Sequence, residues 1–121
     1  MPAPRSAPTR LDGAFAALGD PTRRAIVARL AAEGEAGFAE LARPFAISPP
    51  AVVKHLRVLE AAGLVRKEGP RARPVYRLDP EALAAPRDWL AGLARFWEDS
   101  FDRLEEHLDA LPPSDPEAPA P

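Results

Sequence analysis

The spacing of hydrophobic residues in the first half of the chain predicts three short helices. Apolar side chains recur every three or four positions before a glycine, as expected for a first helix, at Leu11, Phe15, Leu18 and Gly19. Asp20 followed by Pro21 is typical of an N-cap with proline at the first helical position, so a second helix is predicted from there to about Glu33. A two-turn helix closed by proline is predicted over Phe38–Pro44.

A fourth helix, Ser48–Ala62, is predicted to have one packed face and one outward face. On a helical projection the apolar residues Val52, Leu56 and Leu59 lie together and should pack. The opposite face, called the reading face below, consists of Pro50, Val53, Lys54 and Arg57.

Two short apolar and basic runs follow, Leu64–Lys67 and Val75–Leu78, joined by an arginine-rich connection that predicts a β-hairpin. Two helices joined by a tight turn and followed by a basic hairpin form a winged helix-turn-helix, so the predicted fold is mainly α with a small β-hairpin. In that fold the recognition helix 48–62 enters the major groove of DNA, and the wing 64–78 reaches the neighbouring backbone or minor groove.

The end of the chain predicts one long helix with an apolar seam. Asp79 and Pro80 indicate a helix start, and Pro86 is expected to separate a short helical turn from the long helix 87–111. The seam alternates steps of four and three, as in coiled coils, through Leu90, Ala94, Trp97, Phe101, Leu104, Leu108 and Leu111. Such a helix would be roughly 30–35 Å long, which is too long and too apolar to be covered by so small a domain.

The expected partner of this helix is the same helix of a second subunit, supported by the first helix. The predicted dimer interface consists of Leu11, Phe15, Leu90, Trp97, Phe101, Leu104 and Leu108. Two-fold symmetry predicts a palindromic DNA site with half-sites ~10–10.5 base pairs, or a multiple of that, apart. Alternatively, aromatic side chains of the helix line a ligand pocket, namely Trp89, Phe96, Trp97 and Phe101.

Composition limits the chain to one domain and removes several kinds of chemistry. Eight of the 16 prolines among the 121 residues lie near the two ends, so residues 1–9 and 112–121 are predicted to be disordered tails around a folded domain 10–111. Zero cysteines exclude disulfides, thiolate metal sites and cysteine nucleophiles, and only two histidines are present. Without an apolar run of membrane or signal-peptide length, no membrane partner is expected and the localisation is predicted to be cytoplasmic.

The net charge of −2 conceals a strong asymmetry along the chain. Residues 1–80 carry +5 and residues 81–121 carry −7, while Arg43–Arg77 alone carries +6. Clustered Lys and Arg favour a polyanion such as double-stranded DNA, although charged residues can also simply solvate a surface. The predicted DNA contacts are Ser48, Pro50, Val53, Lys54, His55, Arg57, Arg71 and Arg73.

Three segments together resemble the ArsR/SmtB family of bacterial repressors. They are Leu18–Arg24, with the sequence LGDPTRR, Ser48–Glu60, with SPPAVVKHLRVLE, and Ala62–Val65, with AGLV. The resemblance runs from about Phe15 to Leu108. It implies a homodimeric winged-helix repressor that binds operator DNA in its ligand-free form and releases it when a small-molecule inducer, unknown here, is bound.

Many members of this family sense metals, and the sequence departs from them. Where the family has its thiolate site, this chain has Glu40–Arg43 without sulfur. On the C-terminal helix, His107 stands alone beside carboxylates such as Asp102 and Glu106 and is expected to be solvated. The chain therefore resembles a subgroup without metal ligands, and neither a metal nor a cofactor is predicted.

The reading face also departs from the family pattern. Pro49 and Val53 occupy positions where glutamine and serine commonly contact DNA, and neither Pro49 nor Pro50 has a backbone N–H for a phosphate. The hypothesis is that Pro50 and Val53 contact thymine methyl groups, while Lys54 and Arg57 supply the polar contacts. His55 lies nearer the packed edge of the helix, which favours a structural role over DNA contact.

Two other functions remain as alternatives to a repressor. The first is a dimeric winged-helix module that binds proteins and does not read DNA. The second, an enzyme, is disfavoured because no nucleophile–base pair, phosphate-binding glycine loop or convergent carboxylate pair is visible in the sequence.

Overall fold

The computed structural model describes residues 9–112, so most of both predicted tails lies outside the described residues. The chain forms five helices and three strands within this range. They are α1 (Arg10–Leu18), α2 (Pro21–Glu33), β1 (Glu35–Gly37), α3 (Phe38–Ala42), α4 (Pro49–Ala61), β2 (Val65–Glu68), β3 (Val75–Leu78) and α5 (Pro80–Ala110). The fold is therefore a winged helix-turn-helix with a long C-terminal helix, as the sequence predicts.

Side chains of the preceding residue cap the first, second and fourth helices. Thr9, which the sequence places in the tail, caps α1 through a reciprocal pair of bonds with Asp12. Asp20 accepts from the Arg23 backbone N–H at 3.1 Å at the start of α2. Ser48 caps α4 in the same way, so the predicted helix starts are confirmed.

The predicted hairpin belongs to a three-stranded antiparallel sheet in the order β1-β3-β2. The additional strand, β1, pairs Ala36 with Tyr76, and both side chains are buried. A three-residue strand is too short to produce the alternating pattern from which strands are predicted. Gly34, with a φ of 86°, ends α2 and turns the chain directly into β1.

Apolar residues of α1, α2, α3, α4 and the sheet share one core. Its fully buried large side chains are Ile26, Leu30, Leu41, Val52, Leu56, Leu59 and Leu64. The three α4 residues in this set are those that the helical projection assigns to the packed face. The hydrophobic pattern therefore determines which face of the recognition helix packs against the core.

The predicted break at Pro86 is wrong, because α5 is continuous from Pro80 to Ala110. A proline within a helix removes one backbone hydrogen bond, here the one to the Ala82 carbonyl, and leaves the other turns intact. The Pro86 ring is buried, which offsets the missing bond by removing apolar surface from water.

The chain divides into two compact units, with the boundary between Arg87 and Asp88 inside α5. The first unit contains the core and the sheet. The second consists, among the described residues, of the remaining turns of α5 and the two residues after it. No helix within residues 9–112 combines the length and the apolar composition needed to cross a membrane.

Candidate nucleic-acid interface

The reading face of α4 is offered to solvent at most of its predicted positions. Pro50, Lys54 and Arg57 are exposed, whereas Val53 is half-buried. The opposite residues Val52, Leu56 and Leu59 are inside the core, so the two cationic side chains point away from it. A helix held in this way can present Lys54 and Arg57 to a groove of DNA.

The start of α4 has no spare backbone donor for a phosphate. Pro49 and Pro50 lack an N–H, and the first available one, of Ala51, is directed at Ser48, whose Oγ lies at 3.3 Å and whose carbonyl lies at 3.0 Å. The next N–H, of Val52, donates to the same carbonyl at 3.2 Å. The anion-binding function common to helix N-termini is therefore weakened here.

The stem of the wing uses its arginines in ion pairs. Arg66 and Arg77 lie directly opposite each other in the β2–β3 register, an arrangement that repels unless carboxylates intervene. Arg66 pairs with Asp79 at 2.9 Å, and Arg77 pairs with Glu35 at 2.8 Å and Glu68 at 3.4 Å. The Arg66 hydrogen bond is the main cause that lowers the pKa of Asp79, and the Glu35 bond raises the pKa of Arg77.

The tip of the wing, in contrast, keeps its charge. Arg71 and Arg73 are exposed beyond Gly69, whose φ of 86° makes the turn. Within residues 9–112 no carboxylate oxygen lies within 4.0 Å of either guanidinium. Six of the eight cations in the basic segment Arg43–Arg77 therefore have no carboxylate partner among residues 9–112: Arg43, Lys54, Arg57, Lys67, Arg71 and Arg73.

Two arginines of α2 have a role that the sequence pattern does not predict. Arg23 donates through Nε to the Ala17 carbonyl at 2.6 Å, and Arg24 donates through Nη1 to the Leu18 carbonyl at 2.8 Å. They cap the last turn of α1, whose carbonyls have no partner within their own helix. Cations in the first turn of a helix are unfavourable because they oppose its dipole. The position of Arg23 and Arg24 near the start of α2 is therefore the feature of the sequence that indicates a special role.

His55 packs toward α2. Its Nδ1 lies 3.2 Å from Nη1 of Arg23 and 3.8 Å from Oδ2 of Asp20, and 23% of its side chain is exposed. The hydrogen bond from the Arg23 backbone N–H is the main cause that lowers the pKa of Asp20, and loss of hydration around the carboxylate opposes that effect.

The predicted dimer residues fall in both units. In the first unit Leu11 is half-buried and Phe15 is 36% exposed. The residues of the second unit are each at least half exposed: Leu90, Trp97, Phe101, Leu104 and Leu108. The aromatic rings of the alternative ligand pocket follow one another along α5, with centroids 6.4 Å apart for Phe96 and Trp97 and 6.0 Å apart for Trp97 and Phe101.

Between Thr9 and Pro112, no three histidine, aspartate or glutamate side chains lie close enough together to hold a metal ion. His107 is exposed on α5 and belongs to no set of metal-binding side chains within residues 9–112.

Comparisons with known proteins agree with this geometry. Residues 18–68 match a family model described as a helix-turn-helix domain. The chain is 46% identical over 99 residues to the HTH-type transcriptional regulator Rv2034 of Mycobacterium tuberculosis, covering 82% of this chain and 89% of that protein.

Solved structures of similar proteins share the fold. An ArsR family transcriptional regulator matches with a TM-score of 0.68 and 38% identity, covering 74% of this chain and 98% of the other. An ArsR-like transcriptional regulator from Rhodococcus sp. RHA1 matches with a TM-score of 0.65 and 27% identity, covering 84% and 95%.

Proposed function

The chain belongs to the ArsR/SmtB family of winged-helix transcriptional regulators, and on this premise we propose that it is a homodimeric repressor of a palindromic operator. DNA binding and transcriptional regulation come with the family, and the proteins it matches are regulators, not enzymes, as the sequence predicts. The proposal adds that the protein is a dimer, that its DNA site has two-fold symmetry and that the protein represses transcription. It also adds that an inducer releases the protein from DNA and that the protein acts in the cytoplasm.

The observation that carries the DNA-binding part is the distribution of unpaired cations. Lys54 and Arg57 are exposed on one face of α4, and Arg71 and Arg73 are exposed at the wing tip without a carboxylate partner among residues 9–112. The recognition helix and the wing are the two elements that contact DNA in this fold, and both carry exposed cations. In this assignment Ser48 caps the recognition helix, and its hydroxyl hydrogen remains for a phosphate.

The dimer is supported by the apolar side chains exposed along the second unit. Leucine, phenylalanine and tryptophan at least half exposed at coiled-coil spacing are typical of a helix that pairs with another helix. The predicted contacts Leu11 and Phe15 would add α1 to the interface.

A response to metal ions is not part of the proposal. The chain has no cysteine, and Glu40–Arg43 stands where the family has thiolates. The inducer is proposed to be a small molecule that contains no coordinated metal.

Selection of bound fragments from the genome, followed by footprinting, tests the proposal. We expect a protected site with two-fold symmetric half-sites separated by ~10–10.5 base pairs or a multiple. Arg57→Ala should weaken binding to that site by ~1–3 kcal/mol and relax the preference at one base pair. Binding that neither depends on salt nor prefers a sequence would contradict it.

A protein-interaction module is the second candidate, and the altered reading face favours it. Pro49 and Pro50 remove donors from the helix start, and Val53 is apolar and half-buried. Under the repressor proposal, Pro50 and Val53 contact thymine methyl groups, so Val53→Ser should change the selected sequence. An unchanged preference rejects that contact, and failure to shift the DNA upstream of its own gene favours the module.

A further inference from the structure

Arg23 connects two other helices through all three nitrogen atoms of its guanidinium. Nε and Nη2 donate to the carbonyls of Ala17 and Ala16 in the last turn of α1, at 2.6 and 3.3 Å. Nη1 lies 3.2 Å from Nδ1 of His55 in α4. A planar guanidinium with five N–H donors suits this three-way contact, which a single ammonium group cannot reproduce.

The Arg23 guanidinium determines which nitrogen of the His55 ring carries the proton. A guanidinium only donates hydrogen bonds, so Nδ1 of His55 must accept, and the ring is then neutral with its proton on Nε2. Asp20 Oδ2 lies 3.8 Å from the same Nδ1, beyond hydrogen-bond distance, and instead accepts from the backbone N–H of Arg23.

This bond supplies α4 with a directional contact. The buried side chains of α4, Val52, Leu56 and Leu59, are apolar and hold the helix through non-directional packing. A hydrogen bond is sensitive to angle and distance, so it restricts the rotation of a helix about its own axis. His55 immediately follows Lys54 and precedes Arg57 by two residues, so that rotation determines where both cations point.

We infer that His55 is a positioning residue whose Nδ1, held by Arg23, fixes the rotation of the recognition helix against α1 and α2. This inference rests on the proposed function of α4, and it replaces the predicted contact between His55 and DNA. Its consequence is that the end of α1 and the orientation of Lys54 and Arg57 are mechanically linked through one side chain.

Two amide substitutions separate the two ring nitrogens. In His55→Asn the amide oxygen can take the place of Nδ1, whereas in His55→Gln the amide nitrogen can take the place of Nε2. The affinity is measured for a duplex carrying the operator recovered by genomic selection. His55→Asn should stay within about twofold of the original protein and His55→Gln should lose about tenfold, the size expected for one hydrogen bond. The reverse order, or equal affinities, overturns the inference.

Arg23→Met provides a readout that general destabilisation would not move. It removes the donors, so the difference between His55→Asn and His55→Gln should disappear in its background, with thermal unfolding confirming folded protein. A difference that persists overturns the inference.

The test also separates this inference from the proposed function. If Arg57→Ala lowers operator affinity but the two His55 variants do not differ, only the positioning role fails. If Lys54→Ala and Arg57→Ala have no effect, the assignment of α4 fails. Nitrogen NMR of the unmodified protein then tests the bond alone: a proton on Nε2 of His55 supports it, and a proton on Nδ1 overturns it.

Discussion

The two units of the chain place their apolar and charged residues in opposite ways. In the first unit the leucine and isoleucine residues of α2 and α4, such as Leu30 and Leu56, are buried, whereas in the second Phe101 and Leu108 are 62% and 57% exposed. Among described residues, the first unit has thirteen Lys and Arg against nine Asp and Glu, and the second has two against seven. The net charges are therefore +4 for residues 9–87 and −5 for residues 88–112.

This contrast suggests what each unit requires from outside the chain. The first unit covers the apolar residues of its core and presents cations, which suits a polyanion. The second unit presents apolar residues, which suit contact with another apolar surface. It also carries carboxylates, which the phosphates of DNA would repel.

The strongest contrast should appear between two leucines. Leu56→Ala leaves a cavity in the core of the first unit and should lower the free energy of unfolding by about 2–5 kcal/mol. Leu104→Ala, at an exposed position, should change it by less than about 0.5 kcal/mol in protein too dilute to associate. Denaturant titrations measure both, and equal losses would mean that the second unit packs its apolar residues within one chain.

Charge placed in the exposed seam should separate the subunits. Phe101→Asp should convert the dimer to monomers and weaken operator binding by about 100-fold, because a buried interface aromatic typically contributes 2 kcal/mol or more. Sedimentation and DNA titration measure the two effects. Glu106→Gln, on the other side of the helix, is the matched control and should change neither. A Phe101→Asp protein that remains dimeric would contradict the assigned seam.

The sequence predicts the parts of the fold that depend on local chemistry. Helix starts at Asp20 and Ser48, and the buried face of α4, follow from capping and from 3.6-residue periodicity. Strand β1 and the continuity of α5 through Pro86 do not, because each depends on tertiary packing: β1 on its pairing with β3, and Pro86 on burial of its ring.

The candidate site shows the same limit. Charge counting locates a basic segment but cannot tell which arginines are neutralised, because Arg77 meets Glu35 only when residues 42 positions apart pair across the sheet. Likewise, no local pattern shows that Arg23 reaches His55, 32 positions away. Only these long-range contacts show which side chains stabilise the site and which face outward and can contact DNA.

Two arginines of the wing should differ in their salt dependence. Arg71→Ala removes an unpaired charge at the tip and should flatten the plot of log affinity against log salt by about one unit. Arg77→Ala removes a charge already matched by Glu35 and Glu68, so the slope should stay nearly constant. DNA titrations from low to moderate salt measure both slopes. Equal changes would mean that DNA competes successfully for the stem arginine.

The smallest effect expected is a loss of stability in acid that is specific to the first unit. Bonds from the Arg23 backbone N–H and from the Arg66 guanidinium lower the pKa values of Asp20 and Asp79 below the ordinary 3.8. The unfolded chain then binds protons more readily than the folded one, so these carboxylates stabilise the fold above pH 3.8 and lose that contribution as the pH falls through their lowered values. Asp79→Asn should therefore reduce stability at neutral pH and flatten its dependence on pH below about 4, as measured by denaturant titration. Asp99, in the second unit, has no such bond to its carboxylate among residues 9–112, so Asp99→Asn should leave the acid limb of the curve unchanged. If Asp79→Asn left that limb equally steep, the acid sensitivity would originate outside the Arg66–Asp79 pair.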